Sequence, residues 1–276
     1  TGNVTATATT GGGFFMSSGK DFNGINSGIN TTRIGGVGGN VSLQHAGYNI
    51  VTQSNGVNTG GGAFTAQGVN ITFKDAGLST SRTGNPGGQV TLTATGNVLI
   101  RDGGVNTGGG NFSSTSSSLI TQNAGVITGG GNASIIATGN VQILDGGFST
   151  CGSSTNGNFT SQGVDFTMNS QDIRTCGGNV TLNHTGNVTV IASTGGGFFM
   201  SSGKDFSCIN SGINTTRVGG VGGNVTLQHT GYNIVTQFAG VQTGGGAFVA
   251  QGVDITIRDG GLSTSRTGNP GGQVTL

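Results

Sequence analysis

Few residues of this chain could do covalent or ligand chemistry. Its 276 residues include three cysteines, three histidines, nine acidic residues, all of them aspartate, and ten Lys or Arg. The stretch Gly11–Lys20 (GGGFFMSSGK) invites a phosphate-loop reading, which fails. Five residues separate Gly13 from Gly19 where the motif has four, and Asp21 stands where Ser or Thr would hold magnesium. GGVGGNVSL (Gly35–Leu43) lacks the aspartate of calcium-loaded nonapeptide rolls. No cofactor or metal is expected from either stretch. A β-helix polysaccharide enzyme needs paired carboxylates. Here several aspartates fall in basic-acidic dipeptides: Lys20–Asp21, Lys74–Asp75, Arg101–Asp102, Lys204–Asp205 and Arg258–Asp259. Read as strand residues, such neighbours face opposite ways, so a solvated corner of mixed sign is expected rather than ion pairs. A dyad such as Asp75 with Asp102 is the remote enzymatic alternative, and no enzyme is expected. His45, His184 and His229 share one context (LQH, LNH, LQH), with no Cys or Asp at ligand spacing. They read as solvent-facing strand residues rather than metal ligands.

The elements that must position these residues follow from composition. Gly accounts for 60 residues, charged residues for 7%, and Trp is absent. Gly costs about 1 kcal/mol per interior helix position, which excludes a helical bundle. The glycines do not fall every third residue and Pro occurs twice, which excludes collagen. Hydrophobic residues make up 32%, too many for a plain disordered tract. The net charge of +1, with no basic cluster, argues against nucleic acid. No apolar run approaches the roughly 20 residues of a membrane span.

Repetition organises the rest. GGGFFMSSGKDF at Gly11–Phe22 returns unchanged at Gly195–Phe206, an offset of 184. The offset maps residues 1–92 onto 185–276, and 76 of those 92 positions are identical. The length is 184 + 92, so the chain reads as one continuous solenoid, residues 1–276, sampled from a longer tandem array. Within each period a shorter beat appears, as in GGQVTLTATGNVLIRDGGVNT from Gly87. It divides the period into eight units of roughly 23 residues, a repeat of solenoid size. Each unit holds [VF]-x-[LSA], then V-x-[IFV] after a Gly, then a Gly-led V/I/L/F-x-Thr. Alternating apolar and polar residues signal strands, and glycines mark corners. The expected fold is all-β: a right-handed parallel β-helix, three short strands per coil, with coils stacked about 4.8 Å apart. Twelve or so coils make a rod of about 55–60 Å, and one period adds about 38 Å.

Stacking turns sequence positions into columns. Phe14, Phe64, Phe112, Phe159, Phe198 and Phe248 share one position with Val41, Val90, Val180 and Val225, and this column should point inward. Asn40, Asn111, Asn132, Asn158, Asn179 and Asn224 precede the same strand and should form a hydrogen-bonded amide ladder. A second Asn set (Asn3, Asn97, Asn140, Asn187) recurs in G-N-V. Thr59, Thr80, Thr107, Thr128, Thr150, Thr175, Thr194, Thr243 and Thr264 form a column at the third corner. A flat Thr array would suggest ice binding, but the residues before these threonines are too mixed for a lattice match. Cys151 and Cys176 each follow a threonine of this column. Equivalent Cα atoms one coil apart lie within disulfide range, so a Cys151–Cys176 bond and an oxidising, extracellular setting are expected. Cys208 stands where the first copy has Gly24, and no shared role is assigned to it. The longer corners, at residues 31–37, 81–86, 151–156 and 265–270, are the places for a binding function.

GGNVTLNHTGNVTV (Gly177–Val190) and GGQVTLTATGNVLI (Gly87–Ile100) resemble the repeats of filamentous-haemagglutinin-like bacterial surface proteins. The resemblance implies an exported right-handed β-helix acting as a fibre or adhesin at the cell surface. The expected function is a structural segment of an extracellular filament or giant repetitive surface protein. Its partner would be itself, through head-to-tail continuation along the fibre axis. The alternative is an adhesin that grips host or neighbour-cell glycans through its loops.

Overall fold

The computed structural model of the chain describes residues 28–153, 155–169, 172–190, 213–216, 221–229, 231–236 and 240–276. It also describes the strand backbones at 8–9, 14–17, 22–25, 192–193, 198–202 and 206–208. The described residues form a parallel β-helix. Strands stack in three sheets of 12, 12 and 11, and each strand pairs with the one three places along the chain. Face 1 runs in register through Phe64, Val90, Phe112, Ala133, Phe159 and Val180. Face 2 runs through Ile71, Val98, Leu119, Val141, Phe166 and Val188. Face 3 runs through Val57, Leu78, Val105, Val126, Phe148 and Ile173. Parallel pairing between every coil and the next satisfies the backbone without leaving an edge along the rod.

The coils differ in length but keep phase. Val180 and Phe198 are register partners across a short coil, and Phe14 and Val41 are register partners across a longer one. Phe14 and Phe198, one sequence period apart, lie eight steps apart on face 1. The side chains of Phe14 and Phe198 lie outside the described residues, as does Thr194.

Where the face-1 side chains are described, the interior obeys a volume rule. In a face-1 strand the first and third residues both point inward. Where the first is Phe, the third is small: Phe64 with Ala66, Phe112 with Ser114, Phe159 with Ser161, Phe248 with Ala250. Where the first is Val or Ala, the third is Leu or Ile: Val41 with Leu43, Val90 with Leu92, Ala133 with Ile135, Val180 with Leu182, Val225 with Leu227. All eighteen are buried. A core at crystal-like density favours one large and one small residue per cross-section. Phe14 with Met16 and Phe198 with Met200 carry two large ones at these positions, and their side chains lie outside the described residues. The rings meet edge to face across the interior, with Phe64 and Phe73 at 5.7 Å and Phe148 and Phe159 at 5.1 Å.

Two sequence expectations are overturned. His45, His184 and His229 are not on the solvent side; all three are buried. Each is the fifth residue of its strand run, which is inward like the first and third. His184 pairs in the stack with Gly163, whose missing side chain leaves the ring its room. The described aspartates after Lys or Arg are not extended strand residues either; Asp21 and Asp205 lie outside the described residues. Asp75, Asp102, Asp145 and Asp259 have φ between 59° and 65°, in one column with Ser54 and Asn123. This corner, between faces 2 and 3, needs the left-handed conformation, which Asp and Asn adopt more readily than other non-glycine residues. The turn brings Arg101 Nε to 2.9 Å from Asp102 Oδ2, so at this dipeptide the ion pair excluded by strand geometry is present, whereas Lys74–Asp75 and Arg258–Asp259 form none.

Candidate functional site

The corner between faces 3 and 1 carries the sequence-assigned columns. Each threonine there is inside the turn, and its Oγ1 donates to a glycine carbonyl that opens the next face-1 strand. Thr59, Thr107, Thr128, Thr175 and Thr243 reach three residues on, to Gly62, Gly110, Gly131, Gly178 and Gly246. Thr80, Thr150 and Thr264 make the same bond across longer loops, to Gly88, Gly157 and Gly272. Thr31 and Thr215 belong to the column as well, bonded to Gly39 and Gly223 and fully buried. Sequence reading missed both, although Ile29-Asn30-Thr31 fits the V/I/L/F-x-Thr pattern. One Thr–Gly bond therefore closes every described corner of this kind, and loops are inserted between its two ends. These hydroxyls face the protein and present no array to water.

The Asn column behaves differently from stacked amides. Oδ1 of Asn40, Asn111, Asn132, Asn158 and Asn224 accepts the backbone N–H of the residue one coil on, at 2.8–2.9 Å. Asn179 supplies the N–H to Asn158. The ladder thus runs from side chain to main chain, because the peptide before each face-1 strand offers an N–H on its outer side. The second set does the same at the next corner, where Asp165 N–H meets Asn140 and Asn187 N–H meets Asp165.

Cys151 and Cys176 are joined by a disulfide, with their Cα atoms 5.2 Å apart. Cys176 has φ 54° and stands after Thr175 where Gly60, Gly108, Gly129 and Gly244 follow their threonines with φ 58–63°. The bond holds a non-glycine residue in a glycine conformation and ties down the Thr150–Gly157 loop. Asn156 Nδ2 adds a 2.9 Å bond to the Cys176 carbonyl.

Among the residues of possible catalytic interest, Asp102 has its carboxyl held below the usual range, first by the Asn123 amide and then by Arg101. Burial raises Asp172, and Arg174, 3.9 Å away, opposes that. Burial lowers His184 to about 4, and its Nε2 lies 3.1 Å from Ser161 Oγ. Among the described residues no group of three or more His, Cys, Asp or Glu is placed to hold a metal ion, and no helix is long and apolar enough to cross a membrane. The Gly11–Lys20 stretch and Cys208 give no described side-chain geometry.

The loop corner also forms a groove. The Thr31–Gly39 and Thr80–Gly88 loops are two coils apart, because the short Thr59–Gly62 turn lies between them. A space of about 480 Å³ opens above that turn, lined by Thr32, Arg33, Asn58, Ser79, Ser81, Arg82 and Thr83 among others. Its floor is glycine, with φ of 59° at Gly60 and 101° at Gly61. A Cβ on Gly60 would lie 2.9 Å from Thr32 Cγ2, and one on Gly61 would lie 3.0 Å from Arg82 Cδ.

Comparison with known proteins returns no matching family model, no matching curated protein and no matching solved structure. The class that the molecule itself defines is a parallel β-solenoid built of tandem repeats.

Proposed function

We propose that the chain is a rod segment of an extracellular filament or giant repetitive surface protein, of the kind its repeats resemble. The observation that carries this reading is the phase of the period. Phe14, Val41, Phe64 and Val90 recur one period later as Phe198, Val225, Phe248 and Val274, in the same sheet and the same column. A period of whole coils lets copy follow copy without a break in the ladders, so length is set by repeat number. Mechanical strength follows, because pulling along the axis loads every interstrand hydrogen bond of a coil together. The disulfide supports an oxidising location. Antibody raised against the chain should label thin fibres on intact cells that make it. Labelling that requires cell lysis would refute the surface location.

A further inference from the structure

The groove above Gly60 and Gly61 has features that a plain turn does not need. The corner between faces 3 and 1 bears Arg33, Arg82 and Arg266 and, among its described residues, no acidic side chain. The ion pairs among the described residues are Arg101–Asp102 and Arg174–Asp172, so these three arginines take part in none. Two guanidinium groups without a carboxylate therefore share one open polar groove.

The groove is built to a pattern, because the same parts recur one period on. Asn30 Oδ1 accepts from Thr32 N and Oγ1, and Asn214 Oδ1 accepts from Thr216 N and Oγ1. Ser79 and Ser81 hydroxyls meet at 2.8 Å, and Ser263 and Ser265 at 2.9 Å. The stem of Arg82 crosses Gly61 beside Val37, and that of Arg266 crosses Gly245 beside Val221. The Arg82–Asn85 and Arg266–Asn269 bridges fasten both arginines in the same turn. The partner of Arg33, Arg217, lies outside the described residues.

We propose that this groove binds an acidic polysaccharide, a uronic-acid chain. Its carboxylates would pair with Arg33 and Arg82, and its hydroxyls with Ser81, Thr83 and Asn58. The planar guanidinium fork matches a planar carboxylate at two points. The hydroxyl and amide lining matches the rest of a sugar ring and gives selectivity over a bare polyanion. Ser263, Ser265 and Arg266 repeat one wall of the groove eight coils on, about 38 Å away. A polymer that also reaches Arg266 gains avidity that a single sugar acid cannot. This goes beyond the fibre reading and is tested separately, on the purified chain in solution.

The test is binding of the intact chain to polygalacturonate, galacturonic acid, neutral dextran and polyglutamate at fixed salt. The proposal expects polygalacturonate to bind at least about ten-fold more tightly than the monomer or polyglutamate, and dextran not to bind. The variant R82Q/R266Q should lose about ten-fold or more, the scale of a lost charge-assisted hydrogen bond. Its circular dichroism should match the parent. Should that variant misfold, Arg33→Gln, on an exposed loop, gives the same reading in the groove. Absent polygalacturonate binding, equal binding of polyglutamate, or unchanged affinity in the folded arginine variants would overturn the proposal.

Discussion

The imidazole of His184 lies against Gly163 of the preceding coil: a Cβ on that glycine would stand 3.3 Å from ring atoms Cε1 and Nδ1 and 2.7 Å from the Gly139 carbonyl oxygen. The ring is 4% exposed, packs on Phe166 at 5.2 Å, and is lowered to about 4 by burial. An unfolded histidine titrates near 6.5, so between about pH 6.5 and 4 the unfolded chain binds the proton more readily. The stability from neutral His184 is complete above about pH 6.5 and falls as pH drops to about 4, by up to about 3 kcal/mol. Urea unfolding at pH 7.5 and pH 5 should show the loss, and His184→Leu should remove most of its slope. Equal slopes in the two proteins would refute this account.

The volume rule predicts a compensating pair. Phe64→Val leaves a void beside Ala66 and should lose about 1.5–3 kcal/mol. Adding Ala66→Leu rebuilds the Val-x-Leu arrangement of Val90 and Leu92 and should recover at least half. Denaturation of both single variants and the double variant measures the coupling. Simple additivity of two losses would show that the pairing of large with small is incidental.

Two threonines should respond to the same substitution with opposite signs. Thr107 Oγ1 is bonded to the Gly110 carbonyl and, at 3.1 Å, to that of Thr128, so Thr107→Val should lose about 1–2 kcal/mol. Thr121 is also fully buried, but its Oγ1 has no hydrogen-bond partner. Thr121→Val should gain about 1 kcal/mol by removing an unsatisfied hydroxyl. Shifts in urea midpoint at constant slope would report each effect, and matching signs would contradict the assignment.

Reducing Cys151–Cys176, which are 25 residues apart, should lower stability by about 3 kcal/mol on the chain-entropy estimate. The double variant Cys151→Ser/Cys176→Ser should melt at the temperature of the reduced parent. A reductant that leaves the melting temperature unchanged would mean that the Thr150–Gly157 loop is held by its other contacts.

Much of this architecture was legible because a solenoid writes its contacts as sequence periodicity. The Phe/Val, Asn and Thr columns could be lined up from the glycines alone. What stayed hidden depends on where a strand stops. His184 looked like a solvent residue until the face-1 run proved to have three inward positions, with Gly163 opposite. Asp102 looked like a strand residue facing away from Arg101 until the left-handed corner turned it back. The groove was hidden for another reason. Its loops were visible in the sequence, but their separation by one short glycine turn is a relation between coils. Arg33 and Arg82 are distant in the chain and two coils apart in space.

The central claim is that one sequence period makes eight coils of one uninterrupted rod. It is tested most directly by lengthening the chain with a second copy of residues 93–276, which continues the period after Leu276. Cryo-electron microscopy or solution X-ray scattering should show the long dimension grow by about 38 Å at constant cross-section, eight coils at about 4.8 Å each. Two rods lying side by side, or added mass with no gain along a single axis, would contradict the account.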